Sequence, residues 1–234
     1  MLFALVTYSY LLLPVVFFIV ITKIAGKQSL HATVTSIFKS NLFPLALYGC
    51  IFFPFLNWYD EIPKDLRKYS QAVYTFLEYF FFTYLFWILI LSKVFRSFIV
   101  FVTVLFVLFQ IYYVTTIAQK RLDSIPIGIE TIFVFIYIFY FFYEFSNSTK
   151  NQFIYNHYGF WLAVGILIYL GGSLFFYILI NQLTQDEVNK FGNLTYVAEI
   201  IKNLLFAISI FIYKKYPTDR IQKNPFKIPN LDMI

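Results

Sequence analysis

Cysteine and histidine are nearly missing from this chain: of 234 residues, Cys50 is the single thiol, and His31 and His157 are the two imidazoles. One cysteine excludes an internal disulfide and any cysteine-based metal cluster, and two histidines far apart in sequence exclude a histidine-rich metal site. Charge is scarce as well, at 13% of residues, against about 25% in an ordinary soluble domain. No paired aspartates, serine and histidine constellation or zinc-binding spacing is visible, so the chain does not read as an enzyme, and no cofactor is assigned to it. The net charge of +6 comes from basic residues scattered over loops and the C-terminal segment. They are not interleaved with aromatics on one face, which argues against nucleic acid as a partner.

What the chain does have is apolar length. Hydrophobic residues make up 60%, with 32 Phe and 20 Tyr, a balance that belongs to an integral membrane protein. Runs of the roughly 20 residues needed to span a bilayer occur at 2–24, 37–56, 71–91, 94–118, 126–146, 158–181 and 194–213. The expected fold is therefore all-α, an integral bundle of seven transmembrane helices over residues 1–213, followed by a basic, proline-containing tail at 214–234. Short connections leave no room for a soluble catalytic domain. The first span has no basic residues before it and no small-residue cleavage site after it, so it reads as a retained helix.

The basic residues set the expected orientation. With the N-terminus outside, the inward segments hold Lys23, Lys27, Lys39, Lys93, Arg96, Lys150, Lys214, Lys215, Arg220, Lys223 and Lys227. The outward loops then hold only Lys64, Arg67, Lys68, Lys120, Arg121 and Lys190. That excess on one side predicts an outside N-terminus and a cytoplasmic C-terminus. The tail, with Pro217, Pro225 and Pro229, should not continue the last helix and suits anchoring at the anionic inner leaflet.

Along the chain, Pro14, Pro44 and Pro54 predict kinks in the first two spans. The segment 57–69, NWYDEIPKDLRKY, reads as the longest outward loop. Lys93 and Arg96 look like topology anchors, Glu144 like an interfacial carboxylate, and His31 and His157 like surface residues. Ser124 is a plausible N-cap and Pro126 suits an early helical position, which places Glu130 in the first turns, where the helix dipole favours an acid. In the sixth span Gly165, Gly171 and Gly172 permit close helix approach without forming a GxxxG pair. No inverted repeat of the transporter kind is visible.

The last span is the unusual one, since YVAEIIKNLLFAISIFIY carries Glu199, Lys202 and Asn203 inside bilayer-length apolar sequence. Spacings of three and four residues put all three on one helix face. Ionisable groups at membrane depth cost several kcal/mol unless a bundle interior supplies partners. On the expected topology Glu78, Glu130, Glu199 and Lys202 share one layer, roughly 6 to 13 Å below the outer boundary at about 1.5 Å rise per residue. Tyr74, Asn181, Gln182 and Asn203 fall at similar depth. Three carboxylates against one lysine predict a proton-sensitive or cation-sensitive pocket made by Glu78, Glu130, Glu199, Lys202 and Asn203. Spacing alone leaves open whether Lys202 pairs with Glu199 in its own helix or reaches Glu78 or Glu130.

Two resemblances follow. Seven helices with a lysine and an upstream acid in the last one resemble microbial rhodopsins, in which that lysine binds retinal and Glu78 would stand for the counterion. The third span lacks the Arg-Tyr-x-Asp-Trp type pattern of that family, the sixth lacks its Trp-x-x-Tyr-Pro pattern, and the acid to lysine spacing is three rather than four. The segments LDSIPIGIETIF (122–133), YGFWLAVGILIYLGGSLFFYIL (158–179) and EIIKNLLFAI (199–208) resemble small bacterial seven-transmembrane sensory modules associated with sensor histidine kinases. That resemblance implies a helix bundle that receives a signal and, having no output domain here, acts through a separate partner. A proton-coupled transporter is the alternative from membrane carboxylates alone.

Overall fold

Residues 2–25 are almost wholly apolar, yet they do not form one helix. In the computed structural model, which describes residues 2–25, 41–116, 124–148, 153–179 and 182–215, helix α1 runs Leu2–Ser9 and α2 runs Leu12–Ala25, with a turn at Tyr10 and Leu11. The cause is Pro14, which has no N–H to give the Tyr10 carbonyl four residues back. Leu13 donates to that carbonyl instead, at 3.3 Å, in a tighter turn. The expected kink is thus a two-residue turn between two helices, still bridged by backbone hydrogen bonds.

Six further α-helices follow among the described residues: α3 (Phe43–Asn57), α4 (Lys64–Leu89), α5 (Lys93–Thr116), α6 (Ser124–Ser148), α7 (Tyr158–Leu179) and α8 (Gln185–Lys215). Six stretches are long and apolar enough to cross a membrane: Leu2–Lys23, Tyr69–Leu89, Lys93–Thr116, Ile125–Asn147, Tyr158–Leu179 and Asp186–Tyr213. The chain is a multi-pass membrane protein. The span expected at 37–56 corresponds to α3, whose 15 residues give about 22 Å at 1.5 Å per residue, short of a hydrocarbon core of about 30 Å. Residues 26–40, including His31, lie outside the described residues, as do Asn181 and the tail after Lys215.

Several boundaries differ from the sequence expectation for local reasons. Pro44 sits at the first positions of α3, where a missing N–H has no intrahelical partner to lose, so it starts the helix rather than kinking it. The expected loop 57–69 is mostly helical: a 3-10 turn covers Tyr59–Glu61, and α4 starts at Lys64. Helix α8 starts well before residue 194, because Glu187 reaches back to Thr184 in the carboxylate half of a capping box. The Thr184 backbone N–H and hydroxyl both donate to the Glu187 carboxylate at 2.8 Å.

The expected surface position of His157 is also corrected. It is buried at 5% exposure and begins α7, its Nδ1 accepting from the Gly159 N–H at 3.1 Å. Its ring packs on Phe141, Phe145 and Tyr158. Glu144 and Arg96 brace the tight connection between α4 and α5. The Leu91 and Ser92 N–H groups each donate to the Glu144 carboxylate at 2.7 Å, while Arg96 Nε donates to the Ile90 carbonyl at 2.5 Å. Both side chains satisfy backbone groups that helix ends leave open.

Helices α4, α6, α7 and α8 pack in that order around the bundle, α8 meets α1 and α2, α2 meets α3, and α3 meets α4 to close the ring. Helix α5 lies outside the ring, antiparallel to α4, with Phe106 against Tyr79 and Gln110 Nε2 donating to the Ala72 carbonyl. Its buried residues form one stripe, Ile99, Val102, Phe106, Gln110 and Tyr113, and its remaining apolar face is open to lipid. The tightest seam is α7 on α8. A Cβ at Gly165 would stand 3.3 Å from Leu205 Cβ, and one at Gly172 would stand 3.2 Å from Ala198 Cβ, so these glycines set the helix separation.

Candidate functional site

The ring encloses two adjoining polar layers, and Lys202 makes the deeper one. Its side chain is fully buried, so the ammonium must find its partners inside the protein. It does so from three other helices. Lys202 Nζ donates to the Tyr48 hydroxyl of α3 at 2.7 Å and to the Tyr10 hydroxyl, at the α1/α2 break, at 3.2 Å. It lies 3.5 Å from Glu78 Oε1 of α4. The ammonium thus has two hydroxyl acceptors and one carboxylate counter-charge. The Tyr169 ring of α7 adds a face 3.9 Å from Nζ, within the range of a cation–π attraction.

Glu78 is equally well held. Tyr48 donates to its Oε1 at 3.1 Å and Tyr169 to its Oε2 at 3.0 Å. Lys202, Glu78, Tyr48 and Tyr169 thereby tie α8, α4, α3 and α7 together at one depth. The choice left open by spacing falls on Glu78: Lys202 pairs across the bundle, and its link to Glu199 is indirect. Tyr10 makes that link, accepting from Lys202 and donating to Glu199 Oε1. Tyr74 donates to the same Glu199 oxygen at 3.4 Å.

Above this layer is a cavity of about 590 Å³. Glu78, Glu130 and Glu199 all line it, from α4, α6 and α8. Its other walls include Phe3 at the start of α1, Leu56 at the end of α3, Ile127 at the start of α6, Tyr177 near the end of α7 and Val188 at the start of α8. These ends all lie together, so α1, α4, α6 and α8 run one way and α3 and α7 the other. The opposite half of the bundle is filled by buried side chains such as Phe82, Phe86, Phe141 and Phe206.

Glu130 differs from the other two acids. It is 2% exposed, lines the cavity, and its Oε1 has no hydrogen-bond partner among the described residues. A plain dipole-stabilising role at a helix start does not describe it, since α6 begins six residues earlier and the dipole acts mainly within the first turn.

Of the expected pocket, Glu78, Glu130 and Glu199 share one cavity, Lys202 lies beneath its floor, and Asn203 lies elsewhere. Asn203 Nδ2 donates to Ser9 Oγ at 2.7 Å, and Ser9 Oγ donates to the Val6 carbonyl at 2.6 Å. It joins α8 to α1 and does not line the cavity. Tyr74 contributes as expected from its depth, whereas Gln182 is exposed. Tyr10, Tyr48 and Tyr169 went unread in the sequence. Among 20 tyrosines their only distinguishing signal is mid-span position, away from the interfacial belts where tyrosine collects.

Among the described residues no three His, Cys, Asp or Glu side chains are grouped so as to hold a metal ion. Comparison with protein families, with characterised proteins and with solved structures yields no match.

Proposed function

We propose that this chain is a membrane sensory module which detects a ligand, a proton or a membrane state in the cavity at its outer end and acts through a separate partner, such as a sensor histidine kinase. In this reading it spans a bacterial inner membrane seven times, with α3 completing the count, the N-terminus outside and the C-terminus cytoplasmic. The uneven distribution of Lys and Arg supports that orientation.

One observation carries the proposal. Tyr10 stands at a helix break and holds at once the cavity carboxylate Glu199 and the buried ammonium Lys202. Any change of charge or occupancy at Glu199 alters the balance of that hydroxyl between its two partners. Because the turn at Tyr10 and Leu11 separates α1 from α2, the change falls at a joint between two helices. A signal requires such an element, whose two arrangements bind the stimulus differently.

A proton-coupled transporter remains the alternative, supported by the membrane carboxylates alone. The cavity walls belong to one end of the bundle, which favours binding over passage. A rhodopsin-like role finds less support, since Lys202 lies off the cavity, hydrogen-bonded to Tyr10 and Tyr48 and paired with Glu78.

Distance measurement between spin labels tests the sensory reading. Cys50 on α3 is exposed and takes one label, and Phe211→Cys on α8, where the native side chain is exposed, takes the other. With Glu199→Gln in place, or on acidification, a second distance population is expected. A single, unchanged distribution under all these conditions defeats the sensory reading, and proton or solute flux through protein in vesicles would favour transport.

A further inference from the structure

On the cavity side of the bundle the buried carboxyl groups outnumber the buried cations among the described residues. Glu78 takes hydrogen bonds from Tyr48 and Tyr169 and faces Lys202, and Glu199 takes them from Tyr10 and Tyr74. Lys202 is the one buried Lys or Arg among the described residues, against the three buried carboxylates Glu78, Glu130 and Glu199. Among the described residues Glu130 therefore has neither a paired cation nor, at Oε1, a donor, although it is almost fully buried and borders open space. A buried polar group in that state is costly until a partner arrives.

We infer that the cavity is a binding site for a small organic amine cation, whose ammonium sits against Glu130 and whose carbon body lies against the rings of Phe176 and Tyr196. The inference rests on the proposed sensory reading and supplies the chemical class of its stimulus. The sign of the ligand follows from the surplus of carboxylate. Its organic nature follows from size and lining: about 590 Å³ falls within the 300–1,000 Å³ of small-molecule sites and far exceeds an inorganic ion. Among the described residues the acids also do not converge as a metal site requires. Aromatic walls stabilise an ammonium through their ring faces and its carbon body by burial, and Phe176, Tyr177 and Tyr196 all border the cavity. An amine with two or three N–H donors satisfies Glu130 Oε1 without disturbing the pair between Glu78 and Lys202.

Titration calorimetry on the full chain in nanodiscs, with empty-nanodisc subtraction, provides the test. The probes are phenethylamine, which is protonated at neutral pH, its neutral analogue 2-phenylethanol, and the anion phenylacetate. Phenethylamine is expected to bind saturably with a Kd at or below about 1 mM, as suits a generic probe, and at least tenfold more tightly than either comparator. Glu130→Gln, which keeps the shape and removes the charge, should weaken the amine about tenfold, or about 1.4 kcal/mol. It should leave 2-phenylethanol unchanged. Ile127→Trp, which narrows the cavity without altering charge, should weaken all binding. Equal affinity for amine and alcohol in the unmodified chain, or no saturable amine binding, overturns the inference even if Glu130→Gln fails to fold. So does an amine affinity that changes less than twofold in folded Glu130→Gln. Amine binding that leaves the spin-label distances unmoved would sink the sensory reading and keep the binding site. Distances that respond to Glu199→Gln in a protein that ignores the amine would do the reverse.

Discussion

Gly49 of α3 lies directly against the backbone carbonyl of Tyr10: a Cβ at that glycine would stand 2.5 Å from the oxygen, with Pro14 Cδ at 2.7 Å. The carbonyl is the one that Pro14 deprives of its helical donor, so α3 is fitted to the break itself. No side chain can occupy that gap without moving α3. Gly49→Val is therefore expected to cost about 1–3 kcal/mol through overpacking, and to loosen both tyrosine contacts of Lys202, since Tyr48 is its neighbour in sequence. Reversible unfolding in mixed micelles reads the loss; unchanged stability would show that the two segments separate freely.

The pair of Lys202 and Glu78 gives a second expectation. Removing one buried charge strands the other, which costs about 3–5 kcal/mol, while removing both costs much less than the sum. Lys202→Met alone should be severe, and adding Glu78→Gln should recover part of the stability. A double-mutant cycle measures the difference, and strict additivity would mean that the 3.5 Å approach carries no energy.

The tyrosines should rank by the number of bonds they mediate. Tyr48 accepts from Lys202 and donates to Glu78, whereas Tyr169 only donates, to Glu78. Each bond to a charged group contributes about 1.5–3 kcal/mol, so Tyr48→Phe should destabilise more than Tyr169→Phe. The reverse order in unfolding measurements would place the weight of the cluster on the ring face of Tyr169.

At the other end of the bundle, Glu144→Ala releases the Leu91 and Ser92 N–H groups from the connection between α4 and α5. Hydrogen exchange at those two amides should accelerate, with a stability loss of about 1–2 kcal/mol, comparable to losing a helix cap. Amine binding should stay the same. If exchange there is unaltered, the carboxylate is dispensable to the turn.

How far these features could be read in advance depended on the kind of signal each left. Apolar runs place the helices, because length and hydropathy alone decide whether a segment can cross a bilayer. Shared depth was enough to group Glu78, Glu130 and Glu199, as chain direction and rise per residue are simple arithmetic. Rotation is not available from the same arithmetic, which is why Asn203, one residue from Lys202, falls with the pocket by spacing yet bonds Ser9 on α1. Helix starts fell where capping, rather than hydropathy, rules: Thr184 and Glu187 begin α8 in polar sequence, and the four-residue pattern was there to be seen. His157 shows the opposite case, since only the tertiary packing of Phe141 and Phe145 makes a loop histidine a buried cap.

Helix α8 is continuous from Gln185 to Lys215, and Lys202, tied to Glu78, Tyr10 and Tyr48, lies near its middle. A rigid rod held at its centre behaves as a lever. With about 1.5 Å of rise per residue, Lys215 is about 20 Å beyond that fulcrum, so a tilt of about 10° swings the far end by about 3.5 Å and the near end the opposite way. A displacement too small to open the bundle is thus enlarged at the end remote from the acids.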